Sequence, residues 1–156
     1  MRTDDLPFID EHFVDVAVGA DDTWAELVES VDASFLRAAA QRFARVVGCE
    51  QTEATGPRPL AAGATIPGFR VETAVPGSEL VLTGRHRFAA YALSFRLEPR
   101  GPQRTRLYAE TRASFPGMRG GVYRLFVITF GGHTVAVRRL LGGVKRRAEA
   151  ATRTGA

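Results

Sequence analysis

The residues Tyr91-Ala92-Leu93-Ser94-Phe95-Arg96-Leu97-Glu98 and, beyond a Pro99-Arg100-Gly101-Pro102 turn, Arg106-Leu107-Tyr108-Ala109-Glu110-Thr111-Arg112-Ala113-Ser114-Phe115 place an apolar or small side chain at every second position. A period of two belongs to a strand with one covered face. Two earlier stretches repeat it. Phe69, Val71 and Val75 alternate with Arg70 and Glu72, and Leu80, Leu82, His86 and Phe88 alternate with Val81, Thr83, Arg85 and Arg87. At Pro116-Gly117 the period changes, and from Met118 to Ala151 the residues Tyr123, Phe126, Val127, Phe130, Thr134, Val137 and Leu141 recur at helical spacing. Four strands followed by one long helix predict an α+β fold: a curved antiparallel β-sheet wrapped around a long C-terminal α-helix. A one-residue slip would exchange the two faces of a strand. Trp24, Phe95, Phe115 and Phe130 should therefore be mostly buried, and Arg85, Arg96 and Glu110 exposed.

Outward from this core the signals are shorter. Val14, Val16 and Val18 alternate as a first strand that stops at Gly19. Thr23 and Glu26 stand three apart as a capping box behind Asp21 and Asp22, predicting a short helix through Val31. A second helix is expected over Phe35 to Val47, with Phe35, Leu36, Ala39, Phe43, Val46 and Val47 facing inward, and it should end at Gly48. From Glu50 to Gly68 the prolines and glycines read as a long loop, either a pocket lid or a loop with a short strand inside it.

A chain of 156 residues is expected to form one domain over 1-156, with about 148-156 a flexible tail. Its one cysteine, Cys49, has no partner for an internal disulfide, reads as a small buried hydrophobe and suits a reducing cytoplasm. No basic segment followed by an apolar run opens the sequence, so the expected localisation is cytoplasmic. The net charge of +4 comes mostly from arginines interleaved with Glu and Asp, the pattern of a solvated sheet face. Binding of nucleic acid is not expected, nor is an integral membrane segment, because Arg124 and His133 interrupt the apolar helix. Toward the end of the chain Arg138, Arg139, Lys145, Arg146, Arg147 and Arg153 face a single Glu149, which reads as cations complementing a helix C-terminus.

The helix carries Gly120-Gly121, Gly131-Gly132 and Gly142-Gly143, eleven residues apart, hence along one line of a continuous helix. They imply close approach to the sheet, space left for a ligand, or a break at Gly131-Gly132.

The order of strand, two short helices, meander and long helix resembles the helix-grip proteins of the SRPBCC superfamily, which includes START domains, plant pathogenesis-related allergens and polyketide cyclases. The resemblance is carried by Val14 to Val31, by Gly84-Arg85-His86-Arg87-Phe88 through Leu93-Ser94-Phe95-Arg96-Leu97, and by Tyr123-Arg124-Leu125 to His133 with Val137-Arg138-Arg139-Leu140-Leu141. The tail is similar to that of bacterial members. The resemblance implies a cavity for a hydrophobic small molecule between sheet and helix.

Within such a cavity His86 shares the parity of Leu82 and Phe88, and His133 follows Phe126 and Phe130 on the helix. The expected ligand-binding residues are His86, Phe88, Tyr91, Phe95, Phe115, Tyr123, Phe126, Phe130 and His133; no catalytic residue is assigned. His12, His86 and His133 lack the clustering of a metal site, and no nucleophile elbow, phosphate loop or dinucleotide fingerprint occurs, so no cofactor or metal is expected. The expected partner is a hydrophobic ligand such as a lipid, isoprenoid or polyketide, and a homodimer is left open. The alternative is a cyclase-like enzyme in which His86, Tyr91, Tyr123 or His133 steers proton transfer. A basic adaptor working through the C-terminal helix is the third reading.

Overall fold

The computed structural model describes residues 2–117 and 121–155, and for residues 121–130 it describes the backbone alone. After a single 3-10 turn the elements run β1 (Phe8–Val16), α1 (Ala20–Phe35), α2 (Ala38–Val47), β2 (Thr65–Ile66), β3 (Phe69–Val75), β4 (Glu79–His86), β5 (Ala89–Pro99), β6 (Thr105–Ser114) and α3 (Gly121–Thr154). Among the described residues the strands form one curled antiparallel sheet in the order β1-β6-β5-β4-β3-β2. The α+β helix-grip architecture expected from the periodicities is the one observed.

The strand phase follows the period of two. Along β6 buried and half-buried residues alternate without a break, Phe95 in β5 is fully buried and Arg96 beside it is exposed, as is Arg85. Outer-face arginines find carboxylates: Arg106 donates to both oxygens of Asp15 (2.8 and 3.0 Å), and Arg96 and Arg112 pair with Glu98 and Glu110. Glu110 is only half-exposed because Arg112 folds over it. Trp24 and Phe115 are also half-buried: Trp24 packs at the margin of the core, and Phe115 lies one residue past β6. Phe130 falls outside the described side chains.

Helix boundaries depart more from expectation. Gly19 caps α1, and Thr23, a turn inside, donates its hydroxyl to the Gly19 carbonyl (2.9 Å) instead of accepting from the backbone as a cap. Helix α1 continues one turn past Val31, and the break falls at Leu36-Arg37. Gly48, at φ 73°, ends α2 in a Schellman motif with Cys49 N–H on the Ala44 carbonyl (2.8 Å) and Gly48 N–H on that of Arg45 (3.2 Å). The inward face assigned to α2 is corrected: Leu36, Phe43 and Val46 are exposed and only Ala44 is buried. This helix lies over a cavity, so its apolar side meets few protein atoms.

The segment between α2 and β3 contains the short strand β2 and contributes Leu60 and Ala64 to the core. Arg58 fastens it, donating to Asp32 (2.8 Å) and to the carbonyls of Thr55 (2.9 Å) and Thr65 (3.1 Å). Helix α3 runs unbroken through Gly131-Gly132, packs on α1 and β1, and reaches Thr154. Ala148, at the start of the expected tail, is buried in the core within it. A Cβ at Gly131, Gly132 or Gly143 would meet no atom within 4 Å, so close approach to the sheet does not explain these glycines. Among the described residues no helix is long and apolar enough to cross a membrane.

Candidate ligand cavity

Along β5 the inward residues Leu93, Phe95 and Leu97 are large and join the core. Toward the strand's beginning, and on the elements facing it, they become small: Ala89, Ala113 on β6, and Ala136 and Gly143 on α3. Side chains of this size cannot close the gap between sheet and helix. A cavity of about 760 Å³ remains, bounded by β4, β5, β6, α1, α2 and α3.

Tyr91 sits at its wall, its hydroxyl donating to the Gly68 carbonyl (2.7 Å) and lying 3.6 Å from Cys49 Sγ. The ring has room only because Gly84, its cross-strand partner, lacks a side chain. Burial pushes the Tyr91 phenol and the Cys49 thiol up from their ordinary values, so both stay protonated at neutral pH.

His86 stacks toward Tyr91 with ring centroids 5.4 Å apart, and its Nδ1 accepts the Phe88 N–H (3.1 Å). That bond leaves Nε2 as the protonated nitrogen of the neutral ring. His133, on α3, places Nε2 2.9 Å from the Thr111 hydroxyl. Burial is the largest influence on both rings and holds each below the ordinary histidine value of 6.5; at His133 the Asp10 charge works against it and His12 with it. The stability linked to these neutral rings is fully present above 6.5 and is lost as pH falls toward their lowered folded values. We expect the urea midpoint to be flat from about pH 8 to about 7 and to decline from about 6.5 to about 5. Replacing both His86 and His133 with Gln should flatten that decline. An unchanged decline would assign it to other groups, since the lowered carboxyls of Asp15 and Glu149 titrate at more acid pH.

Of the expected site residues, His86, Tyr91, Phe115 and His133 line this cavity. Phe95 does not, because it is packed inside the core, and Phe88 does not, because β4 ends at His86 and the turn carries Phe88 outward, 39% exposed. The side chains of Tyr123, Phe126 and Phe130 lie outside the described residues. The sequence reading missed Phe35, Phe43 and Phe69 as lining aromatics, and with them Arg37, Arg139, Arg146 and Arg147. The helical signal was present: positions 133, 136, 137, 140 and 143 are spaced as one face of α3. Among the described residues no group of three His, Cys, Asp or Glu side chains could hold a metal ion.

No family model matches the chain, and no curated protein matches it in sequence. Solved structures do match in shape. The Zhui aromatase/cyclase from Streptomyces sp. R1128 superimposes with a TM-score of 0.56 at 16% identity, over 94% of this chain and 98% of that one. Truncated norcoclaurine synthase from Thalictrum flavum gives 0.56 at 13% identity, over 90% and 94%. CalU16 from Micromonospora echinospora gives 0.52 at 15% identity, over 90% and 83%. Sheet order, helix placement and these superpositions agree: the chain has the helix-grip fold.

Proposed function

We propose that the chain binds a hydrophobic small molecule, such as a lipid, isoprenoid or polyketide-like compound, in the cavity between the sheet and α3. The observation that carries this reading is the cavity of about 760 Å³ left open by small residues on both walls. A space of this size suits a ligand of drug or lipid dimensions, and a few polar groups among apolar walls are the usual means of orienting one. His86, Tyr91, Phe115 and His133 are the ligand-facing residues of this proposal.

A second reading, a polyketide cyclase-like enzyme, is favoured by one feature. His86 is held neutral beside Tyr91, and its Nε2–H can donate a hydrogen bond that polarises a bound carbonyl. Superposition on an aromatase/cyclase is consistent with this reading and does not separate it from simple binding.

Gly143→Leu tests the shared premise. Gly143 lines the cavity with open space beyond its Cβ position, so leucine should enter that space while raising helix propensity by about 0.5–1 kcal/mol. Native mass spectrometry of protein purified from its source should show an apolar compound on the wild type and little on the variant. Equal occupancy in the two would sink the assignment of this cavity. Conversion of the released compound on incubation with fresh protein identifies an enzyme, and its recovery unchanged identifies a binding protein.

A further inference from the structure

The cavity's apolar wall carries charge of one sign. Arg37, Arg139, Arg146 and Arg147 line it, and among the described residues no aspartate or glutamate does. All four are exposed, so they stand where the cavity meets solvent. Their charge is not neutralised locally. Among the described residues Arg37, Arg139 and Arg146 make no ion pair and no side-chain hydrogen bond, while Arg147 donates to the uncharged Ser30 hydroxyl (2.9 Å). The sequence holds no acidic residue between Glu110 and Glu149. Glu149 is taken by Lys145 Nζ (2.7 Å) and the Ala17 N–H (3.0 Å), Asp32 accepts from Arg58, and Glu50, whose charge is felt at Tyr91, does not line the cavity.

Two simpler explanations account for less of this pattern. On the outer side of the sheet Arg96, Arg106 and Arg112 each meet a carboxylate, and among the described residues exposed Arg70 there stands without an ion pair but apart from any such cluster. Complementing the helix dipole is effective within the last turn, and α3 continues to Thr154 with Arg153 as the basic residue there. Arg146 is two turns short of that end and Arg139 about four, so the expectation drawn from the sequence does not cover them. Gly142 makes room for Arg146: a Cβ there would sit 3.2 Å from Nη1.

We propose, resting on the ligand-binding reading above, that the cavity takes an amphipathic anion, whose apolar body lies between sheet and α3 and whose carboxylate or phosphate meets Arg37, Arg139 and Arg146 at the mouth. Arginine supplies the planar, paired donors that both oxyanions accept. The head is held at the solvent margin, so binding leaves no unpaired charge inside the apolar chamber.

The test is isothermal titration calorimetry of the full chain with dodecanoate, dodecyl phosphate, dodecanol and dodecylamine, each below its micelle concentration. Both anions should bind roughly tenfold or more tightly than the alcohol, and the amine most weakly. In the Arg37→Gln, Arg139→Gln, Arg146→Gln protein the preference should shrink to about twofold with the alcohol affinity unchanged; Lys at the same positions should retain most of it. The ratio between the two anions tells a phosphate source from a carboxylate source. An alcohol that binds as tightly as the anions overturns the anionic head and leaves the hydrophobic cavity standing. A preference that survives the triple Gln change overturns the assignment to these arginines. Failure of all four probes to bind overturns the cavity reading and this inference together.

Discussion

Phe95→Ala should destabilise the protein by about 3–5 kcal/mol. Phe95 has no exposed surface, lies across from Leu80 on β4 and Ala109 on β6, and belongs to the cluster that joins the sheet to α1 and α3. Truncation removes the ring's burial and leaves a void that the flanking strands, fixed by their hydrogen-bond ladders, fill only in part. In a chain of this length such a loss lowers the Tm by roughly 10 °C or more. Urea and thermal unfolding measure it directly, and a cost below about 1 kcal/mol would contradict the strand phase on which the fold rests. Because Phe95 does not line the cavity, molecules of the variant that remain folded should bind ligand as the wild type does.

Gly84→Ala should be nearly as costly, for the opposite reason. An added Cβ would fall 2.6 Å from Tyr91 Cζ and closer still to the Gly68 carbonyl oxygen. Neither neighbour can yield without loss. Moving the ring breaks the hydroxyl's bond to Gly68 and strands a buried carbonyl at about 1–3 kcal/mol, and the overpacking itself costs about 1–3 kcal/mol. The sum, about 2–5 kcal/mol, comes from adding one methyl group. This substitution, unlike Phe95→Ala, also distorts the cavity wall, so ligand affinity should fall in whatever fraction stays folded. The paired change Gly84→Ala with Tyr91→Phe separates the two terms: if the clash is with the ring and not the hydroxyl, the double variant should be no more stable than Gly84→Ala alone. A Gly84→Ala protein of wild-type stability and affinity would mean that Tyr91 does not pack over Gly84.

The sheet was legible because a period of two is a direct imprint of a half-covered strand; β6 carries it without interruption and β5 from Leu93 to Leu97, while in β4 Val81 is buried between Leu80 and Leu82. Helix ends were not. Thr23 and Glu26 satisfy a capping box on paper, but a threonine hydroxyl inside a helix can donate to the carbonyl four residues back, and spacing does not tell the two apart. The inward face assigned to α2 failed for a related reason: amphipathic period predicts a face, not what lies opposite it, and opposite α2 lies space. His86, Tyr91 and His133 could be placed by parity and helical stripe. The arginines could not, since an exposed arginine on a helix has the same pattern whether it meets bulk water or the mouth of a cavity. What distinguished them was the run without acid from Glu110 to Glu149, a feature that becomes informative once Glu149 is seen occupied by Lys145 and the Ala17 N–H.

The order in which the strands meet also ranks their assembly in time. From β3 to β6 each strand pairs with the one beside it in the chain, whereas β1 finds β6 across roughly a hundred residues. Entropy of loop closure therefore falls almost entirely on the docking of β1 and of the helix that follows it. Helix α3 follows β6 and packs on α1 and β1, so the element that roofs the cavity is also the element whose seat is finished last. A nascent chain thus holds a completed apolar trough before it holds a closed chamber, and the interval between the two is when that surface is open to whatever lies nearby.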